Sequence, residues 1–129
     1  MNKILVEVSV GELLDKISIL EIKQEKIKDP NKLKFIKVEY SILKEQLNTK
    51  VKSTGEIDKL YKSLKEINSK LWIIEDEKRL CEKEKRFDER FIKLSRDVHF
   101  LNDERAKIKL EINTLMNSNI KEIKEYTDY

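Results

Sequence analysis

The chain has 129 residues, 41% of them charged and 39% hydrophobic, with two Gly, one Pro and one Cys. Those proportions exclude collagen-like, disulfide-rich and disordered classes and favour a single domain, residues 1–129, of long helices with solvated faces. The net charge of +3 comes from 28 basic and 25 acidic residues, too evenly interleaved for the basic stripe of a nucleic-acid binder.

Residues 3–8 place Ile4, Val6 and Val8 on one side of an extended segment and predict a short N-terminal strand. This apolar run is too short for a signal-peptide core or a membrane span. One Cys cannot close an internal disulfide, so the expectation is a cytoplasmic protein with no membrane partner. A lone strand needs a partner for its backbone groups. The tail, residues 121–129, is one candidate, and the same strand of a second copy is another.

Ser9-Val10-Gly11-Glu12 has capping-box spacing and predicts a first helix running to about residue 28. Leu13, Ile17, Leu20, Gln24 and Ile27 form one stripe, with Ile19 and Ile22 on another side. A helix apolar on two sides needs cover on both, from a central place in a bundle or from a second copy. Asp29-Pro30 is an N-cap followed by Pro at the first helical position. The second helix carries Leu33, Ile36, Tyr40, Leu43 and Leu47 in a single stripe and should fray near Asn48. After a loop, Ser53-Thr54-Gly55-Glu56 repeats the capping box. The third helix has Ile57, Leu60, Leu64, Ile67, Leu71 and Ile74 on one stripe and extends to about residue 83. Phe87-Asp88 opens the fourth, with Asp88 as N-cap and Phe87 stapled onto Ile92, and it runs to about Met116. Helices three and four fold back about Lys85. The predicted fold is all-α: a four-helix bundle with a long antiparallel helical hairpin and a short N-terminal strand.

Residues 72–105 concentrate the unusual side chains. They hold Trp72, Cys81 and His99, each the sole residue of its type, and every Arg: Arg79, Arg86, Arg90, Arg96 and Arg105. Arg presents a planar fork that grips a carboxylate or phosphate through two bonds. The inward stripe of the fourth helix, Phe91, Ser95, Val98, Asn102, Arg105, Ile108 or Lys109, and Ile112, is interrupted by Ser95, Asn102 and Arg105. A buried Arg requires an acid or acceptor beside it. A hairpin folded about Lys85 brings Glu75 and Asp76 near Ser95, and Glu66 and Asn68 near Arg105. Asp15 and Glu21 of the first helix compete as partners.

This arrangement has two readings. One is a polar layer that sets helix register and oligomeric state. The other is a ligand-binding site for an anion, formed by Glu75, Asp76, Arg79, Asn102 and Arg105. His99 and Asp103, four apart, are spaced to bond. One His and one Cys are too few for zinc, and two Gly forbid a Gly-rich phosphate loop. No metal and no cofactor are expected, the one alternative being a carboxylate site for Mg²⁺, which needs few protein ligands. Glu12 and Asp15 share a helix face, a near-chance match in a chain with 25 acids. Cys81 reads as a small core residue rather than a nucleophile.

The run Val8-Ser9-Val10-Gly11-Glu12-Leu13-Leu14-Asp15-Lys16-Ile17-Ser18-Ile19-Leu20-Glu21-Ile22-Lys23 resembles the opening of a small bacterial and phage family, a domain of unknown function. Its members begin V-S-x-G-E-L-x-D-K-I-x-I-L-E-I-K. The resemblance continues at Leu71-Trp72-x-x-Glu75-Asp76, Phe87-x-x-Arg90-Phe91, Asn102-Asp103-x-Arg105 and a tail ending in Tyr. It covers nearly the whole length and implies no assigned activity. Residues 124–129 run past the family's usual ending. The expected function is a non-catalytic helical assembly or adaptor module, most simply a homodimer, with a protein partner possible and nucleic acid disfavoured. The alternative is a small protein or enzyme that binds an anionic ligand at the Arg–carboxylate cluster.

Overall fold

The computed structural model describes residues 2–129. It is all-helical, with α1 at Val10–Lys26, α2 at Pro30–Lys50, α3 at Gly55–Glu84 and α4 at Glu89–Leu115. No strand occurs among the described residues.

Each helix starts on a side-chain cap. The Ser9 hydroxyl accepts from the Glu12 amide at 3.1 Å. The Glu12 carboxylate does not complete the box; it reaches Lys109 instead. Asp29 accepts from the Asn31 amide at 2.9 Å, with Pro30 opening α2. α3 is capped by Thr54 rather than Ser53: Thr54 Oγ1 accepts from the Ile57 amide at 3.2 Å. The Ser53 hydroxyl donates to Asp58 at 2.9 Å. Adjacent Ser and Thr are equivalent caps in sequence, and the structure uses the second. Asp88 caps α4 by accepting from the Phe91 amide. The predicted staple onto Ile92 closes on Phe91, whose ring meets that of Phe87 edge-on at 5.3 Å between centroids. Ile92 is left exposed.

α3 has 30 residues and α4 has 27, so each is about 40–45 Å long at 1.5 Å per residue. The turn between them falls at Lys85, as the sequence predicts. Lys85 adopts left-handed backbone (φ 56°, ψ 39°), and the Arg86 amide returns to the Cys81 carbonyl at 2.9 Å.

The core is a cluster of Leu14, Ile57, Leu64 and Ile112, with Val10, Leu47, Leu60, Tyr61, Ile108 and Met116 packed around it. α1 lies beside α2, α3 and α4, and α3 lies beside α4. This central place covers both apolar sides of α1, and Ile17, Leu20 and Ile22 are buried. α2 buries no residue fully. Its predicted stripe is half-buried, while Phe35, Val38 and Ile42 face outward.

The predicted N-terminal strand does not form. Residues 2–8 carry no regular structure, and Ile4, Leu5 and Val6 are 85%, 81% and 74% exposed. The tail that might have paired with them follows α4 instead, with Glu122 at Lys109 and Tyr129 at Asp103. A strand without a ladder partner has no means of satisfying its backbone in a regular way. Among the described residues, no helix is long and apolar enough to cross a membrane.

Candidate functional site

The N-terminus of α1 is docked onto the C-terminal end of α4. The Val10 amide donates to Ser118 Oγ at 3.1 Å, and the Gly11 amide donates to Asn113 Oδ1 at 2.7 Å. With the Ser9 cap, the amides of Val10, Gly11 and Glu12, which have no partners inside the helix, are all satisfied. The approach is close because Gly11 has no side chain. A Cβ there would stand 2.6 Å from the Lys109 carbonyl oxygen and 2.8 Å from Asn113 Oδ1.

One turn further along α1, Asp15 is almost completely buried and forms the centre of a polar layer. Its Oδ1 accepts from Arg105 Nε at 2.9 Å and its Oδ2 from Arg105 Nη2 at 2.5 Å, a two-bonded fork. Asn68 of α3 donates to Asp15 Oδ1 at 2.9 Å and to Ser18 Oγ at 2.8 Å. The Ser18 hydroxyl donates to the Asp15 carbonyl at 2.8 Å. Asn102 accepts from Arg105 Nη1 at 3.4 Å. Lys109, one helical turn beyond Arg105, donates to Glu12 at 2.8 Å and to Glu122 of the tail at 2.9 Å. Its Nζ also lies 3.9 Å from Asp15. The layer joins α1, α3, α4 and the tail.

Burial alone would raise the pKa of Asp15. The hydrogen bonds from Arg105 and Asn68, with the charges of Arg105 and Lys109, outweigh it and hold the carboxyl below its ordinary 3.8. Burial likewise works to lower the Lys109 pKa, and the bonds to Glu12 and Glu122 outweigh it, leaving the amine above 10.5. A depressed carboxyl pKa contributes stability that is complete above the unfolded value and drains as pH falls through the folded one. The urea midpoint should therefore be flat above roughly pH 5 and fall on the acid side. In Asp15→Asn that acid slope should be shallower. A raised Lys109 pKa has the opposite sign: its contribution is complete below 10.5 and is lost as pH rises past the folded value.

Of the residues singled out from sequence, the structure brings Arg105 and Asn102 together and places both in the layer. Glu75, Asp76 and Arg79 lie exposed on α3. The hairpin register sets Asn68 opposite Arg105, and the acid comes from α1 as Asp15. Glu12, Gly11, Ser18, Lys109, Asn113 and Glu122 also belong to the layer and its docking contacts, and sequence periodicity did not single them out as site residues. A usable signal existed for four of the charged groups. Glu12 and Asp15 are three apart on one helix, and Arg105 and Lys109 are four apart on another, so each pair shares one helix face about a turn apart and the two are opposite in charge. Asp103 takes the Tyr129 hydroxyl rather than His99. The His99 ring packs against Phe100 and Tyr129 at 4.5 and 5.1 Å.

Every charged group in this layer has a partner of opposite sign, which makes it a clamp between helices. An open groove of about 740 Å³ between α3 and α4, lined by Leu60, Leu110, Leu115, Lys59 and Lys107, shares no residue with it. Among the described residues, no group of three or more His, Cys, Asp or Glu is placed to hold a metal ion.

No curated protein and no solved structure matches this chain. A family model does match, over residues 4–128. The match reaches Asp128, so the tail expected to run past the family's ending lies almost entirely within it. The chain belongs to that family, described as a family of unknown function (DUF6165).

Proposed function

We propose that the protein is a non-catalytic, cytoplasmic assembly module that works by binding another polypeptide through exposed apolar surface, most simply a second copy of itself. The observation that carries this is the contiguous run Ile4-Leu5-Val6, at least 74% exposed at each residue. Consecutive large apolar side chains left in water mark a surface that a partner covers. The outward stripe of α2, Phe35, Val38 and Ile42, adds to it. A single buried thiol, Cys81, fits a reducing compartment.

An anion site at Glu75, Asp76, Arg79, Asn102 and Arg105 has less support. The Arg105 fork is committed to Asp15 through two bonds, and Lys109 is committed to two carboxylates. Sedimentation equilibrium across the micromolar range separates the two. The assembly reading expects a mass above the 15.4 kDa monomer that rises with concentration. A monomer throughout, stabilised thermally by nucleotides or polyphosphate, would transfer the function to the anion site.

A further inference from the structure

The N-terminal segment is self-complementary in a way its exposure alone does not require. In an extended conformation it puts Ile4, Val6 and Val8 on one face and Lys3, Leu5 and Glu7 on the other. We propose that residues 2–8 pair as an antiparallel strand with the same residues of a second copy, with Leu5 opposite the partner's Leu5. This rests on the assembly reading above and names its partner and register.

In that register Lys3 faces the partner's Glu7, Ile4 faces the partner's Val6, and Glu7 faces the partner's Lys3. Each charge meets its opposite and each apolar residue from 4 to 6 meets another. Cross-strand pairs of opposite charge stabilise a sheet, and like charges directly opposite destabilise it. The neighbouring registers lose this match. A slip of one residue sets Lys3 against the partner's Val6 or Val8. A slip of two sets Lys3 against the partner's Leu5, or Leu5 against the partner's Glu7. A parallel in-register pair places Lys3 on the partner's Lys3 and Glu7 on the partner's Glu7.

The geometry suits a twofold pair, in which the same patch is used on both copies. The segment leaves a fixed point, because the Val10 and Gly11 amides are held by Ser118 and Asn113. Its backbone from residue 2 to 8 has no ladder partner among the described residues, so a strand edge is available. An unrelated sheet edge would accept the same apolar residues but would have no reason to demand the Lys3–Glu7 symmetry. A two-stranded ribbon is marginal by itself, so the dimer should be weak and concentration-dependent.

The test is charge complementation on the full chain. Lys3→Glu alone and Glu7→Lys alone each set like charges opposite at both ends of the ribbon. Each should weaken the wild-type dimer about tenfold or more. An equimolar mixture of the two variants restores both pairs and should return to the wild-type dissociation constant, as should the double variant in one chain. These side chains are exposed and outside the helices, so helical circular dichroism should be unchanged in all four proteins. A wild-type dimer indifferent to Lys3→Glu, or a mixture that fails to recover, overturns the strand pairing and leaves assembly through another face standing. A wild-type chain that stays monomeric overturns both.

Discussion

Asp15→Ala is expected to lower the free energy of unfolding by about 3–5 kcal/mol, the cost of leaving a buried charge without its partner. The side chain of Asp15 is 2% exposed, and that of Arg105 is 28% exposed. Removing the carboxylate strips both bonds from the Arg105 fork, one bond from Asn68 and a charge near Lys109. The three groups it faces come from α3 and α4, so the loss loosens α1 from the hairpin. Replacing the pair rather than breaking it should behave differently. Asp15→Leu combined with Arg105→Met removes both charges and fills the space, and should recover most of the loss. Urea midpoints at neutral pH measure both variants. A single variant that costs under about 1 kcal/mol would mean that Arg105 swings out to water, and would reduce the layer to a surface ion pair.

Gly11→Ala is expected to destabilise by about 1–3 kcal/mol, as overpacking does. The sign is the informative part. In an exposed helix interior the same change stabilises by roughly 0.5–1 kcal/mol through propensity. Here the new methyl would meet a main-chain carbonyl at 2.6 Å, and a main-chain atom cannot turn away as a flexible side chain does. α1 would have to lift off α4, stretching the Gly11–Asn113 and Glu12–Lys109 bonds that hold it. Gly55→Ala is the control. Gly55 opens α3 with nothing within 4 Å of a new Cβ and no positive φ, so the substitution should be neutral or mildly stabilising. Equal behaviour of the two glycines would mean that the close helix approach is not what Gly11 serves.

Much of the fold was legible because the signals are local. Asp29-Pro30 and Asp88 cap helices by side-chain bonds within their own first turn, so the spacing of a few residues suffices. Lys85 marks the hairpin because the third helix gives out after its apolar stripe has ended and Phe87-Asp88 opens the next helix on a cap just beyond it. The candidate site was legible only in part. Arg105 and Asn102 broke an apolar stripe and so stood out. Their acid partner was legible only as one candidate among several, beside Glu66, Asp76 and Glu21, because Asp15 is one of 25 acids and lies 90 positions away in the chain. Glu66 and Asn68 were nearest Arg105 in hairpin register, with Glu75 and Asp76 about two turns away, and register alone cannot say that a third helix reaches Arg105 first.

By itself the sequence determined the number of helices, nearly all their boundaries, and the presence of a polar break in the fourth. These follow from capping chemistry and a 3.6-residue period, which act over a few neighbours. Only the tertiary structure decided three other things. It chose Asp15 as the ion partner of Arg105. It covered both apolar sides of α1 with the chain's own helices. It sent the tail along α4 and so left residues 2–8 without a ladder. Each is a choice among distant segments that compete for the same surface. Such competition is resolved by which close approach, such as that allowed by Gly11, packs without strain.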